Sequence, residues 1–586
     1  MTVSSILASA LSVGQPASSA FHLSSPPTTT PSLCQVAPGG SSVNGVCSLS
    51  GSLHISVAYR SIIPVLVMSI GALVLLALSA VLTKRSRPGL YPALTVIIGL
   101  GALAASIWQW NDLGTRGRAM ETIGGQVIYD RFSVLFMILV SIATILGALS
   151  SDSYLRREGL DGVEAYVLML MAGTGAMLMA ESGGLIMLFL GLEIMSIALY
   201  VMAAYHRRRV QSGEAGLKYF VLGAFSSALF LYGIALTYGA TGSTQFRPIA
   251  QFLASNTISN DGVLLAGMAF LIVGLGFKVA AVPFHFWTPD VYQGSPTPFT
   301  GYMAAVAKAA GFAGLLRVLY SALSSQQADW RPAVWLMAVL TLIVGSVMAI
   351  AQKDLKRMLA YSSISQAGYV LVGVQAASAT GTAGALFYLF TYTFIIIGTF
   401  AIVGLIQGPG EERNDLGAIR GLAKRKPYLA AAMLVFLLAQ AGVPFTSGFL
   451  AKFYVVQAAV QKGQYPLAVI AMLAAAIAAF FYLRVGLLMY GADPTSADPA
   501  SVDPAAAGAA SSGSGLAPSA FSMAGLEPVP SLDGTTATAT LEAPSTEEIE
   551  VPLTVVLVVA ISAVFTIAAG VSPVIINFAH QATTLF

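Results

Sequence analysis

Fourteen runs of about twenty mostly apolar residues, separated by short polar loops, make up most of this chain and settle what it can fold into. A bilayer core of about 30 Å needs roughly 20 helical residues at about 1.5 Å each. The runs fall at 62–82, 91–110, 131–150, 163–181, 184–205, 217–240, 262–288, 298–323, 333–351, 358–377, 382–408, 428–458, 465–490 and 551–578. The expected fold is therefore an all-α polytopic membrane protein of about fourteen transmembrane helices.

Composition narrows the function. Of 586 residues, 9% are charged and 56% hydrophobic, and the mean hydropathy is +0.78; a soluble domain carries about 25% charged residues. A formal net charge of +3 offers no basic surface for nucleic acid, so the partners are expected in the lipid bilayer and among other membrane proteins. Two cysteines and five scattered histidines supply no ligand set for an iron–sulfur cluster, a haem or another metal, and no phosphate-binding glycine loop is present. This chain is expected to hold no cofactor, and any redox chemistry has to belong to another chain.

The basic residues of the short loops alternate. Lys84, Arg85 and Arg87, then Arg156 and Arg157, then Arg207 to Arg209, then Lys353, Lys356 and Arg357, then Arg413, Arg420, Lys424, Arg425 and Lys426 follow the first, third, fifth, ninth and eleventh runs. One orientation puts all five loops in the cytoplasm and both termini outside, in the inner (plasma) membrane of a bacterium. The N-terminal segment, residues 1–59, is rich in Ser, Thr, Pro and Gly and reads as a disordered exported tail in which Cys34 and Cys47 either pair or stay free. A second low-complexity stretch, 491–550, carries acidic residues without one Lys or Arg and reads as a disordered cytoplasmic loop.

The informative residues are charges that do not belong in hydrocarbon. Four of the ten lysines, Lys218, Lys278, Lys308 and Lys452, fall inside the runs, and Glu193 lies near the middle of the fifth. Four central lysines facing lipid would cost on the order of 10 to 14 kcal/mol at about 2.5 to 3.5 each. They have to face protein or water. For Lys218, close to the Arg207 to Arg209 loop, a static ion pair or snorkelling to the interface is the competing account.

Two prolines sharpen this. Ala280-Ala281-Val282-Pro283-Phe284 and Ala441-Gly442-Val443-Pro444-Phe445 are nearly the same string, five helices apart. An odd spacing turns the second copy upside down, the arrangement of transporters whose ion sites lie at broken helices. Pro283 and Pro444 supply the breaks, each withdrawing a donor from the carbonyl four residues earlier, Val279 and Gln440.

The stretch from Lys278 through Val282-Pro283-Phe284-His285-Phe286-Trp287-Thr288-Pro289-Asp290-Val291-Tyr292 to Gly294, with Pro296, Pro298 and Lys308, resembles the signature of the antiporter-like subunits of proton-pumping NADH:quinone oxidoreductase, respiratory complex I. Leu190-Gly191-Leu192-Glu193-Ile194-Met195-Ser196 and the stretch from Lys356 and Arg357 to Tyr369, including Tyr361, Ser365 and Gln366, resemble the subunit N branch of that family. The resemblance covers about 60–490 and the last run, and leaves out the N-terminal tail and the acidic loop.

The resemblance implies three leading helices (60–162), two inverted five-helix repeats (163–323 and 333–490) with discontinuous seventh and twelfth helices, and a last helix in 551–586. It implies proton-carrying roles for Glu193, the Lys278 it pairs with, the central Lys308 and Lys452, and less definite ones for Lys218 and His285. A lysine at the position of Lys452 argues against sister subunit M, which has glutamate there. The resemblance also implies partners: other membrane subunits of complex I, among them a neighbouring antiporter-like subunit, with quinone, FMN and iron–sulfur clusters held outside this chain. Glu181, ending the fourth run, reads as an interfacial carboxylate.

Physically, burial destabilises an ammonium and a nearby carboxylate restores it. At about 7 Å and an effective dielectric of about 20 the carboxylate contributes about 2.4 kcal/mol. Moving Glu193 relative to Lys278 would therefore load or unload a proton. The competing functions are a subunit of a multi-subunit cation/proton antiporter or membrane-bound hydrogenase, a self-sufficient secondary transporter, and a structural membrane scaffold with static charges.

Overall fold

Uniformly apolar runs leave the backbone no partner but itself, so helices dominate. The computed structural model describes residues 57–586 apart from 83–88, 118, 257–260, 412, 492–549, 573 and 584–586; of the N-terminal segment it describes only two strands. Those strands, β1 (Ser41–Val43) and β2 (Val46–Ser48), pair antiparallel, a local structure the sequence did not announce. Cys34, the rest of residues 1–56 and nearly all of the acidic loop lie outside the described residues.

The chain then runs α1 (Tyr59–Val81), α2 (Leu90–Arg116), a hairpin of β3 (Met120–Thr122) and β4 (Val127–Tyr129), α3 (Arg131–Arg157), α4 (Val163–Glu181), α5 (Leu185–Ala203), α6 (Val210–Thr241) and the short α7 (Phe246–Ser255). There follow α8 (Asp261–Lys278), α9 (Trp287–Gly294), α10 (Thr297–Leu316) with a π-helical extension Arg317–Ala322, α11 (Gln327–Ile350), α12 (Leu355–Gln375) and α13 (Ala379–Ile406). The last helices are α14 (Leu422–Arg425), α15 (Pro427–Ala441), α16 (Ser447–Gln461), α17 (Tyr465–Tyr490), α18 (Leu553–Val571) and α19 (Val574–Gln581).

Among the described residues, 12 helices are long and apolar enough to cross a membrane. The expected tenth run is α12, which is helical but rich in Ser, Gln and Tyr; the expected twelfth is divided into α15 and α16. The seventh run is divided too, with Pro283 between α8 and α9. The last run ends earlier than expected, at Val571, and α19 continues separately.

Small residues set the closest approach of α4 to α5. A Cβ on Gly175 would lie 2.4 Å from the Met195 nitrogen and 2.6 Å from the Gly191 carbonyl oxygen, so only glycine lets these backbones touch. That contact fixes α5, and with it Glu193, against the interior. At the start of α3, Asp130 accepts from Ser133 N, while Ser133 Oγ accepts from Asp130 N, a reciprocal cap.

The loops separate into two faces. Arg209 pairs with Glu411, Lys356 pairs with Glu411, and Arg157 donates to the Gly404 carbonyl, so the loops after α3, α5, α11 and α13 meet. On the other face, Gly183 N donates to Gln126 O at 2.7 Å and Leu185 N to Thr244 O at 2.8 Å, joining the β3–β4 hairpin, the α4–α5 turn and the α6–α7 turn. Trp110 at the far end of α2 stacks on Phe578 of α19 at 4.2 Å.

Candidate proton pathway

Every helix that bears an intramembrane lysine is interrupted, or packs on an interruption, near that lysine. Lys278 is the last residue of α8, and the chain then leaves the helix at Val279. The freed backbone finds side chains: Trp287 Nε1 donates to the Phe277 carbonyl at 3.0 Å, and Val282 N donates to Thr341 Oγ1 on α11 at 2.9 Å. Lys278 is 2% exposed and its Nζ has no hydrogen-bond partner. It lies over the rings of Tyr200 and Tyr219, at 5.3 and 5.4 Å from their centroids.

Glu193, half-buried on α5, lies near enough to interact electrostatically with Lys278 without an ion-pair contact, and its Oε1 is buried without a partner. The two are a separated pair, not a closed salt bridge. A buried pair held apart still interacts across the low-dielectric interior, and no direct ion-pair contact has to be broken before the carboxylate moves.

Lys308, in the middle of the fully enclosed α10, donates to both the carbonyl and the hydroxyl of Ser363 and lies 5.5 Å from the Tyr392 ring centroid. Ser363 Oγ also meets Tyr392 OH at 2.6 Å. Its neighbour Ser362 points elsewhere: successive residues of a helix are about 100° apart, and Ser362 bonds Gln440 Oε1 at 3.2 Å and the Tyr482 hydroxyl. The Gln440 carbonyl accepts from Lys452 Nζ at 2.7 Å and from Gln366 Nε2 at 3.1 Å. Two adjacent serines of α12 thus lie one toward Lys308 and the other toward the surroundings of Lys452, each hydrogen-bonded on its own side.

The sequence reading expected the carbonyl of Gln440 to be freed, and it is. Lys452, 7% exposed, takes it together with the Ala441 carbonyl at 2.9 Å, and sits 4.7 Å from the Tyr369 ring centroid. The break itself is made at Gly442, at φ +89°, which ends α15 two residues before Pro444. A Cβ on Gly442 would lie 2.9 Å from Lys452 Cδ, so glycine is required by backbone and neighbour alike. In the first copy Pro283 is itself exposed and His285 is half-buried with its Nδ1 unpartnered.

Lys218 is placed differently. It is 42% exposed and pairs with Glu214 at 2.7 Å and Asp290 at 2.8 Å, because α6 begins at Val210 and carries Lys218 only two turns in. It lines a polar cavity of about 650 Å³ together with Arg209, Asp290, Arg357 and Glu411.

Sequence reasoning missed the fixed charges around this cavity. Lys356, fully enclosed, pairs with Glu411 at 2.9 Å; Arg209 pairs with the same oxygen at 2.6 Å. The other Glu411 oxygen accepts from the backbone N and the hydroxyl of Thr297 at 2.7 Å each, capping the helix that carries Lys308. Burial pushes the Glu411 carboxyl up, but Lys356 and Arg209 outweigh it and hold the group at about 2. No local pattern marks one glutamate in a loop as the hub of four partners. Glu181 ends α4, as its place at the close of the fourth run implies, and it is enclosed by protein there, 1% exposed.

Residues 182–478 match the family described as NADH:quinone oxidoreductase/Mrp antiporter, TM, a segment that contains both breaks and all four intramembrane lysines. NADH-quinone oxidoreductase subunit N of Trichlorobacter lovleyi is 43% identical over 430 residues, which is 73% of this chain and 87% of that one. This chain belongs to the subunit N family of NADH-quinone oxidoreductase. Among solved structures, a chain of respiratory complex I from Thermus thermophilus is 31% identical with a TM-score of 0.66, over 87% of this chain and 97% of that one. A chain of the Mrp complex from a Dietzia species, 21% identical with a TM-score of 0.72 over 90% and 97%, shares the fold.

Proposed function

We propose that this chain works as a proton-translocating membrane subunit of a bacterial complex I, carrying protons on Glu193, Lys278, Lys308 and Lys452 while quinone reduction in other subunits supplies the energy. The observation that carries this is the run of buried polar groups, Lys278 beside Glu193, Lys308 on Ser363, Ser362 on Gln440, Gln440 on Lys452, through an otherwise apolar interior. A static scaffold gains nothing from an enclosed ammonium without a partner, which costs several kcal/mol.

In this reading α12 and the divided α15–α16 also cross the bilayer, giving fourteen crossings, ten of them in two inverted five-helix units, 163–323 and 333–490. The basic loops face the cytoplasm by the positive-inside rule, and both ends of the membrane domain face outside. Protons enter from the basic face past Lys218, Asp290 and His285. Displacement of Glu193 sets the charge of Lys278, and a charged Lys278 disfavours a charged Lys308. The proton stored on Lys308 passes along Ser363 and Ser362 toward Lys452 and is released on the opposite face. The chain's companions are other complex I membrane subunits, one of them antiporter-like, and subunits bearing quinone, FMN and iron–sulfur clusters.

Three measurements test this. Purification in mild detergent should recover the chain with hydrophobic and flavin-bearing companions; a cation/proton antiporter set or an active lone chain would overturn the assignment to complex I. Lys308→Ala should assemble and fail to pump, whereas normal pumping would leave a scaffold. Cysteines placed at Gly213 and Lys424 should be labelled from the cytoplasm, and cysteines at Thr115 and Ser325 from outside.

A further inference from the structure

Among the described residues, the Asp, Glu, Lys and Arg side chains with a buried polar atom lacking any hydrogen-bond partner are Glu181, Glu193 and Lys278. Two of these are the separated pair of the proposed pathway. The third has no assigned role, and it shows the feature more strongly, since both of its carboxylate oxygens are buried and unpartnered.

Glu181 lies beside a fixed ion pair on the face opposite the basic loops. Arg317, 0% exposed, is bonded through both terminal nitrogens to the two oxygens of Asp130, at 2.7 Å each, and through Nε to the Ala180 carbonyl at 3.1 Å. The guanidinium is therefore held against the residue preceding Glu181 and already neutralised by Asp130. Glu181 interacts with Arg317 electrostatically without an ion-pair contact. With both carboxylates ionised the cluster would bury one uncompensated negative charge, whereas a protonated Glu181 leaves it neutral. Arg317 is also nine residues along the same helix from Lys308, about 13 Å at about 1.5 Å per residue, toward that opposite face. A hydroxyl that is likewise buried without a partner, Ser321, lies one turn beyond Arg317.

We propose that Glu181 is a further proton-carrying residue: its neutral carboxylic acid releases a proton to water on the face opposite the basic loops, and the carboxylate left behind is reprotonated by a proton originating from Lys308. The Asp130–Arg317 pair is its positioning partner, a fixed local charge balance that makes the neutral acid the resting form. The first half of the molecule then has an outlet of its own, separate from the one past Lys452. This rests on the proton-carrying reading of Lys308.

The test uses the assembled complex in native membranes and in purified form. Glu181→Gln, which keeps the shape and stays neutral, should assemble, move fewer protons per NADH oxidised, and lose a carboxylic-acid C=O band from the redox-induced infrared difference spectrum. Glu181→Asp should keep a shifted band and most of the pumping. Unchanged pumping with Glu181→Gln overturns the proposal, and so does reduced pumping with an unchanged infrared band, which would mark Glu181 as a packing residue. If Lys308→Ala pumps normally, the failure lies in the broader reading; if only Glu181→Gln pumps normally, it lies here alone.

Discussion

Lys278 and Lys452 sit at the two near-identical interruptions of the chain, yet they are held in opposite ways. Lys278 lies just before its break, unpartnered, between two tyrosine rings and with a separated carboxylate nearby. Lys452 lies just after its break and is bonded to the two carbonyls that the break exposes, Gln440 and Ala441. Neutral dipoles hold a charge steadily, while a separated carboxylate acts as a lever whose effect varies with distance. On the proposed reading, the first half is switched, and the second holds the proton and passes it on.

Glu411 tests whether the halves depend on each other, and its loss should be the largest effect. Glu411→Gln leaves Lys356 and Arg209 buried without their anion, a change of about 3 to 5 kcal/mol. The thermal midpoint of the purified complex at neutral pH should fall. A carboxyl held low in the folded state stabilises above its ordinary value and loses that contribution as it protonates. The wild-type advantage should therefore persist at neutral pH and shrink only as pH falls from the ordinary carboxyl value of 4.5 toward about 2. An undiminished advantage near the lower limit would mean that Glu411 acts by packing alone.

Glu193→Gln breaks the comparison directly. Removing about 2.4 kcal/mol of Coulomb stabilisation shifts the balance of charged to neutral Lys278 about fifty-fold, so redox-driven pumping should fall sharply with assembly intact on native gels. Glu193→Asp should keep much of the activity. Normal pumping by assembled Glu193→Gln would make the first half as static as the second.

Ser363→Ala should cost less, about 1.5 kcal/mol for one hydrogen bond to an ammonium, because the Ser363 carbonyl still accepts from Lys308. Pumping should fall several-fold, and Ser362→Ala added to it should contribute little more, since both cut one connection. Additive losses would argue for separate routes.

The smallest effects separate the two breaks. Gly442→Ala forces a left-handed residue, about 1 kcal/mol, and presses on Lys452, so it should slow pumping modestly. Pro444→Ala should change little, because α15 has already ended at Gly442. A larger loss from Pro444→Ala would show that proline, not glycine, makes this break.

Hydropathy alone located the crossing helices, since about twenty apolar residues have one stable form in lipid, and the cost of a charge there marked Lys278, Lys308, Lys452 and Glu193. The repeated string around Pro283 and Pro444 lies at both interruptions, although α15 has already ended at Gly442. Those are local properties, written in neighbouring residues. What each lysine touches was not legible: Ser363 lies 55 positions from Lys308, Glu411 lies 114 from Thr297, and Asp130 lies 187 from Arg317. The nearby arginine loop already set Lys218 apart, but the sequence could not name Glu214 and Asp290 as its partners, nor show that Glu181 is enclosed by protein. A buried charge is defined by what packs around it, and only the folded arrangement of helices brings those distant partners within reach.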